Sequence, residues 1–413
     1  MHFSTVLARS PAGLLSYISN LSKTYHDHVL FFAVSPNVSS PDLTELVQNL
    51  TTFSPQTIGC LSAPLPGHHE GLISCSFALF KRDLCLPFRS HIPGRESPQV
   101  GRWHSFRQKH TPENVIQEDA PSGKVDWESV WDQSLTNNAL PIGLQSVSPH
   151  EIGTIIYFSD AAPEGLSNAL MDFRGATKLG LTAAPTPFIT GRPVTLFKDD
   201  KIYESGAVGV ALKHLKSKAN VQFIGMKPLS PPMTVTQAEG NLIISLDHKN
   251  PTQLLLTAIQ KTDIETAASE SLKDNDEFSL ATLQVGEPNQ MYNIMSGDPS
   301  RGTISLRSMS APHIGAQVQF FHRPRSTILT IPDKLSRPAN LRRTLGFMAC
   351  PETRKYDHPA LPDPDGIAYT LSDTFLAGSE GGFILSRSDQ GVVEPPWTCG
   401  IPGGLATLEW HTS

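Results

Sequence analysis

The sequence is poor in cysteine and contains no closely spaced cysteine pair. Its 413 residues include five cysteines, and no two of them form a Cys-X-X-Cys motif. An odd number of widely separated thiols is not typical of a secreted disulfide framework or of a zinc site. We therefore expect free thiols in a reducing compartment. The five cysteines are Cys60, Cys75, Cys85, Cys350 and Cys399.

Long apolar runs and clustered positive charge are also missing. No run approaches the roughly 18 apolar residues that a membrane-spanning helix needs. Charged residues make up 17% of the chain and the net charge is −6, without the stripe of lysine and arginine that nucleic-acid binding requires. We therefore expect neither a membrane nor a nucleic acid as a partner, and we predict a cytoplasmic protein.

The N-terminal segment leaves a mitochondrial location open as an alternative. It carries basic residues, and its first acidic residue is Asp27, as in a mitochondrial presequence. However, Phe3–Ala8 predicts a strand, and the apolar spacing that follows predicts a helix with Ser10 as its N-cap. This pattern continues directly into a strand at Val29–Val34, which favours the start of the fold over a cleavable leader.

The familiar catalytic and nucleotide-binding signatures are absent from the sequence. There is no Gly-X-Ser-X-Gly, no His-Glu-X-X-His, no P-loop, and no Gly-X-Gly-X-X-Gly between a strand and a helix. The histidine pairs His26/His28 and His68/His69 have no cysteine or carboxylate at ligand spacing. The sequence therefore predicts no catalytic residue, no cofactor and no metal site, and it leaves open whether the protein is an enzyme.

Strand-like and helix-like segments alternate among abundant prolines (34) and glycines (30). Val29–Val34 is followed by a helix near Asp42–Leu50, with Ser40 as its expected cap, and by strand-like segments at Ile58–Ala63 and Gly71–Phe80. The alternation predicts an α/β (α+β) fold in which mixed sheets are flanked by helices. The length of the chain predicts two coupled domains.

The second half shows the same mixture. Pro251–Ile259 predicts a helix, and Asp126–Leu135, earlier in the chain, predicts a short amphipathic one. Asp333–Pro364 is rich in proline and charge, which predicts an exposed loop. Further strands are predicted near Phe278–Val285, Met291–Ile294, Gly302–Ser308, Gln317–Phe321, Thr374–Ser386 and Gly404–Trp410.

Two extended blocks, Ile155–Leu196 and Glu204–Asn241, carry a resemblance to a known family. They resemble the FIST family, named for F-box and intracellular signal transduction proteins. The likeness extends from about Val29 to Trp410. It lies in extended patterns and not in a single catalytic signature. The other segments that carry it are Ile58–Leu65, Pro87–His104, Lys227–Asn241 and Phe375–Ser386.

The resemblance implies a FIST-N-like domain over residues 1–215 and a FIST-C-like domain over residues 216–413. The blocks are most similar to the fungal branch of the family, which has no F-box. In bacteria the family is proposed to sense small ligands such as amino acids. In the animal F-box relative the same region captures proteins for ubiquitin ligation. No F-box-like segment precedes Val29 and no signalling module follows, so we expect neither attachment here.

Three residues of the first half are candidate ligand-binding residues. Asp160 follows the buried-type strand Ile155–Phe158, where a carboxylate can face a crevice at the sheet edge or cap the next helix. Arg95 lies in a basic loop and is suited to clamp a carboxylate. Cys60 ends a strand of small residues, a position that is equally typical of a buried thiol.

Five further candidates lie beside glycines. Ser205 opens the segment Ser-Gly-Ala-Val-Gly, and Glu380 stands between paired glycines; both patterns permit either a close approach of backbone to ligand or a structural bulge. Thr234, Glu239 and Asn241 offer polar groups around a glycine turn. They are placed either to line a polar site or to cap a following element.

These observations favour a non-catalytic protein that binds a small polar, possibly amino-acid-like ligand or a protein partner in a cleft between its halves. The alternative is an enzyme of small-molecule metabolism. In that case Cys60, His104, Asp160 and Glu380 are the candidates for acid–base or thiol chemistry. A third hypothesis is an interaction scaffold with a broad apolar patch.

Overall fold

The structure is a computed structural model of the 413-residue chain. It describes residues 1–67, 71–91, 140–261, 278–298, 301–308, 310–324, 327–336, 342–352, 366–389 and 392–411. Within these ranges the α-helices are α1 Pro11–Tyr25, α2 Ser40–Thr51, α3 Glu164–Ala169, α4 Pro187–Thr190, α5 Pro251–Lys261 and α6 Asp333–Ser336.

The described residues also form 28 strands. The first fourteen are β1 His2–Ala8, β2 His28–Val34, β3 Thr57–Leu61, β4 Ile73–Lys81, β5 Cys85–Ser90, β6 Ile152–Ser159, β7 Thr177–Thr182, β8 Pro185–Thr186, β9 Arg192–Val194, β10 Leu196–Lys198, β11 Lys201–Tyr203, β12 Ala207–Lys213, β13 Lys218–Phe223 and β14 Lys227–Pro228. The others are β15 Met233–Glu239, β16 Leu242–Leu246, β17 Phe278–Gln284, β18 Glu287–Asp298, β19 Thr303–Leu306, β20 Gln317–His322, β21 Arg342–Ala349, β22 Ile367–Ser372, β23 Thr374–Ser379, β24 Phe383–Ser386, β25 Ser388–Asp389, β26 Val392–Val393, β27 Trp397–Cys399 and β28 Gly404–His411.

One four-stranded pattern occurs three times along the chain. The spatial orders are β3-β2-β4-β1 in unit one, β7-β6-β12-β5 in unit two and β23-β21-β28-β13 in unit three. In each unit the first two strands are parallel. The remaining neighbours are antiparallel. The chain visits the four positions in the same sequence each time, so the three units share one topology and together form a three-unit body.

Each unit also sends a segment into the sheet of another unit. After β3 the chain bridges from Ala63 to Gly378 in β23. Strand β10, which comes after β7, pairs with β3, and β24, which comes after β23, pairs with β7. These three connections form a closed cycle. An edge strand has unpaired backbone N–H and C=O groups. In each unit a segment of another unit pairs with some of these groups.

Four phenylalanines pack where the three sheets meet. Phe31 of unit one and Phe158 of unit two stack with their ring centroids 4.3 Å apart. Phe347 lies 5.8 Å from Phe158, and Phe375 lies 5.5 Å from Phe31. All four side chains are fully buried. This central aromatic cluster therefore joins the inner faces of all three units.

Helices and 3-10 turns cover the outer faces of the sheets. Helices α1 and α2 bury Leu14, Ile18 and Leu46 against unit one. These residues face the sheet because apolar positions recur every three or four residues along each helix. Leu166 of α3 packs on the outer face of unit two, and Leu335 of α6 packs on that of unit three.

A barrel is inserted into unit three between β13 and β21. Its strands pair in the order β20-β15-β16-β19-β18-β17, and β17 pairs again with β20, so the ring is closed. Val235, Ile243, Leu280 and Val318 are fully buried in its core. Helix α5 packs against the barrel through Leu255 and its neighbours. A closed ring leaves no free strand edge, so the inserted barrel completes its own sheet.

The α+β prediction of mixed sheets flanked by helices is confirmed. The strands at Phe3–Ala8 and Val29–Val34 and the helix at Pro251–Ile259 lie within observed elements. The division into two coupled domains stays a prediction. Its boundary at residues 215 and 216 falls between units two and three, and strands β22, β24 and β27 from beyond it join the sheets of the first two units.

Three local predictions are corrected. The exposed loop predicted over Asp333–Pro364 is wrong in its middle, because β21 is a central strand whose last six residues are buried; the flanking charges and prolines concealed this short apolar run. The cap of α2 is Ser39 and not Ser40, since the Ser39 hydroxyl accepts the Asp42 backbone N–H. Ser10 precedes α1 but makes no capping hydrogen bond. The helix predicted at Asp126–Leu135 lies outside the described residues.

A buried lysine lies on the outer face of unit two. Lys178 in β7 is only 3% exposed, and its Nζ has no hydrogen-bond partner among the described residues. Its neighbour across the strand pair is Ser386. Burial disfavours the charged ammonium and lowers the pKa of Lys178 from 10.5 to about 8. The charged form of this side chain therefore destabilises the fold at neutral pH.

We predict that Phe158→Ala lowers the free energy of unfolding by about 3–5 kcal/mol, because it opens a cavity at the junction of three sheets. Urea unfolding of the purified protein measures the change. The matched control is Phe188→Ala, since Phe188 is fully exposed, and it should shift the unfolding free energy by less than about 0.5 kcal/mol. Equal effects of the two substitutions would contradict the packing described here.

We predict that Lys178→Met stabilises the protein at pH 7, by an amount on the order of 3 kcal/mol. Between pH 8 and 10.5 the unfolded lysine binds a proton that the folded one has lost, so wild-type stability rises with pH in this window. The advantage of the variant is therefore full below pH 8 and shrinks above it. Urea unfolding of both proteins from pH 7 to 10 measures this, and a pH-independent difference would refute the assignment.

Candidate functional site

A groove runs between the inserted barrel and the three-unit body. On the barrel side it is lined by β17, β18 and the loop at residues 310–317. On the body side it is lined by the start of β13 and by the segment from β24 to β27. Its volume is about 1850 Å³. This space, the barrel groove, exceeds the ~300–1,000 Å³ of usual small-molecule sites, so it has room for a ligand and its hydration shell.

A network of polar side chains crosses this groove from one wall to the other. Arg387 of the body donates to both carboxylate oxygens of Glu394, at 2.5 and 2.9 Å, and to Oδ1 of Asn289 on the barrel at 2.6 Å. Gln290 of the barrel donates to Glu394, and Tyr292 donates to Gln290. Burial, with the nearby Glu394 charge, raises the pKa of Tyr292. The network therefore ties the barrel to the body through charge-assisted hydrogen bonds.

Trp397 lines the same groove and carries an unused donor. Its side chain is only 6% exposed, and its ring packs 5.9 Å from Phe383 and 6.4 Å from Tyr292. Its indole N–H has no acceptor among the described residues. A buried donor without a partner costs about 1–3 kcal/mol.

The family comparison covers parts of both the body and the barrel. Residues 157–249 match the FIST N domain. The match begins within β6 and ends after β16, and it includes the groove residues Lys216–Ala219. A search of curated proteins gives no match. The FIST resemblance found in the sequence is thus supported for this region of the chain.

Asp160 of the FIST N region closes the end of a strand. Its carboxylate accepts the backbone N–H groups of Ala162 and Gly206. Unit one has the same arrangement, because the Ser35 hydroxyl accepts the backbone N–H of Ser74 at 2.8 Å. Ser35 follows β2 and binds a residue of β4, and Asp160 follows β6 and binds the residue before β12. In each unit the side chain thus links the end of one strand to its antiparallel neighbour. Asp160 does not cap α3, so its hydrogen bonds explain its presence as a structural clamp.

Cys60 lies in the core between the sheets. Its side chain is fully buried, and burial raises the pKa of its thiol well above the usual value. A protonated thiol without exposed surface is a poor nucleophile. The other two candidates of this part of the chain, Arg95 and His104, lie outside the described residues.

Ser205 and Glu380 lie in turns at strand ends. The Ser205 side chain is exposed, and its carbonyl oxygen accepts from Arg89 at 2.6 Å. Glu380 is half-buried in the turn between β23 and β24. In that turn Gly382 has a φ of 76°, and a Cβ there would collide with the Cys399 carbonyl. The paired glycines are therefore explained by the turn itself.

The remaining three candidates belong to the barrel. Thr234 Oγ1 accepts from Gln317 at 2.9 Å. Asn241 is buried, and its Nδ2 donates to the Leu306 carbonyl at 3.0 Å. Glu239 is exposed at the end of β15. Asn241 thus ties the β15–β16 turn to the end of β19.

None of the predicted site residues that the structure describes lines the barrel groove, and three of them, Asp160, Glu380 and Thr234, border it. Asp160 and Glu380 are each followed by a residue that lines the groove, Ala161 and Gly381. Thr234 is hydrogen-bonded to a third lining residue, Gln317. The assignment of the predicted residues to a ligand stays a prediction. The sequence analysis missed the polar network and Trp397, although the run Glu-Pro-Pro-Trp at 394–397 combines an acid, two rigid residues and an indole. Such a run is a usable signal for a binding loop.

The described residues show neither a metal cluster nor a membrane helix. No three His, Cys, Asp or Glu side chains among them are grouped so as to hold a metal ion. In the same part of the chain, no helix has both the length and the apolar character needed to cross a bilayer.

Proposed function

We propose that this protein is a non-catalytic sensor that binds a small polar ligand in the barrel groove. The observation that carries the proposal is the groove itself, which lies between the barrel and the three-unit body and is crossed by a network of charged and polar side chains. The FIST N match over residues 157–249 supports the same role, because the FIST family is proposed to sense small ligands.

The position of the groove suggests how ligand binding would change the arrangement of the barrel relative to the body. Arg387 and Glu394 belong to the body, whereas Asn289 and Gln290 belong to the barrel. A ligand that contacts both walls binds best at one relative position of barrel and body. Because the ligand binds this arrangement more tightly than others, it increases the fraction of molecules that adopt it. A protein partner that recognises the selected position is the natural recipient of the signal.

Two candidate catalytic groups, the Cys60 thiol and the Asp160 carboxylate, already have structural roles. This favours ligand binding over catalysis. The Cys60 thiol is buried and protonated, and both carboxylate oxygens of Asp160 accept backbone N–H groups. Neither is available for acid–base or thiol chemistry in this arrangement. The fungal, F-box-less type, a FIST-C-like second part and a cytoplasmic location belong to the same proposal and rest on the sequence.

We predict that amino acids and related polar metabolites raise the melting temperature of the full chain. A ligand at one hundred times its Kd stabilises the folded state by about 2.7 kcal/mol. A differential scanning fluorimetry screen measures the shift. Thr398→Trp, at an exposed position of the groove, should reduce the shift, because the indole takes part of the space available to the ligand.

The matched control for this screen is Thr44→Trp, which places the same side chain at an exposed threonine on α2. This variant should keep the full ligand response. An undiminished response in Thr398→Trp, or the lack of any response in the wild type, would refute binding in the groove.

A further inference from the structure

The barrel groove carries more positive than negative charge. Among the described side chains that line it, four are cations, Lys216, Lys218, Arg307 and Arg387, and one is a carboxylate, Glu394. The chain as a whole has the opposite sign, with a net charge of −6. The groove is therefore a positive patch on a negative protein.

Three of these cations have no described counter-ion. Arg387 is neutralised by its bidentate contact with Glu394. Lys216, Lys218 and Arg307 are exposed and form no ion pair with any described residue.

The carboxylate nearest in the strand register is already engaged. Glu409 stands opposite Lys218 in the β13–β28 pair, but its Oε2 accepts from Arg342 at 3.2 Å. Lys218 therefore gains no counter-ion from the neighbouring strand.

The uncompensated cations occupy both walls. Lys216 and Lys218 lie at the start of β13 on the body, and Arg307 follows β19 on the barrel. The groove between these two walls is lined by all three side chains. Cations and N–H donors recognise carboxylates and phosphates. A focused positive field also raises the local concentration of anions before they bind.

We propose that the ligand of the barrel groove is a small anion with net negative charge, bearing carboxylate or phosphate groups. This inference rests on the proposed function and narrows its ligand class. A zwitterion without net charge gains less from Lys216, Lys218 and Arg307 than an anion does, because its own ammonium group opposes them. The cations act together from the two walls, so the anion bridges the barrel and the body.

Isothermal titration calorimetry with matched probes tests the ligand class on the full chain. Glutamate is compared with glutamine, succinate with succinamide, and glycerol 3-phosphate with glycerol. We expect binding by one or more anions, at least about tenfold tighter than by the neutral counterpart, and weakening as salt rises from low to physiological ionic strength. The carboxylate and phosphate pairs distinguish the two chemical sources of the charge.

Two triple variants with equal changes in net charge test the site. Lys216→Gln with Lys218→Gln and Arg307→Gln should weaken anion binding about tenfold. The control combines Lys81→Gln, Lys201→Gln and Lys227→Gln, three exposed lysines outside the groove, and should leave binding within about twofold.

The outcomes separate this inference from the proposed function. If neutral probes bind as tightly as anions, and Thr398→Trp weakens their binding, the groove is a ligand site but the inference is wrong. Equal loss in the two triple variants would show that only overall charge matters, which also overturns it. If no probe of either class binds at millimolar concentration, the anion inference falls, whereas an amino-acid response in the thermal screen would still uphold the proposed function.

Discussion

Four phenylalanines packed at the junction of three sheets hold the units of the body together. Phe31, Phe158, Phe347 and Phe375 come from three separate units and are fully buried together. Aromatic side chains bury large areas and prefer offset or edge contacts, which suits a junction where sheets meet at an angle. The strand exchanges reinforce it, because Ala63, β10 and β24 each complete the sheet of another unit.

The functional proposal follows from this arrangement. The phenylalanine cluster holds the three-unit body at its centre, and the exchanged strands hold it at its edges. The body therefore offers a stable surface to an inserted element. The barrel is such an element, closed on itself and joined to the body across a groove. Arg387 and Glu394 meet Asn289 and Gln290 there. Because these contacts are polar and partly exposed, they can exchange for ligand contacts at lower cost than the buried core.

Much of the local structure could be predicted from the sequence, because strands and helices follow periodicity. The β2, β3 and β4 strands and the helices α1, α2 and α5 were predicted near their observed bounds. Strand β21 was missed, since its apolar run Leu345–Ala349 is short and lies among charges. The caps differed by one residue or formed no bond, which spacing alone does not resolve.

The repeat and the groove are non-local, and periodicity does not report which strands pair. One signal was nevertheless present: Gly59 and Gly180 each stand four residues before an Ala-Pro pair. The structure explains both glycines, because the rings of Phe32 and Tyr157 on the adjacent parallel strand occupy the space of their missing side chains. In unit three the large and the small residue have changed strands, with Gly346 on β21 opposite Leu376 on β23. The third unit therefore lacks the glycine signal that the first two share.

Native-state hydrogen exchange at the strands shared between units tests the account most directly. The decisive amides are those of Ala63, which donates to Gly378 at 2.8 Å, Leu61, which donates to Thr195 at 3.0 Å, and Thr182, which donates to Gly382 at 3.0 Å. If the three units form one interlocked body, all three amides exchange only through global unfolding, with the same free energy as the central strands β2, β6 and β21. Exchange of any of the three at a clearly lower free energy, while the central strands stay protected, would show that the units open separately and would contradict the account.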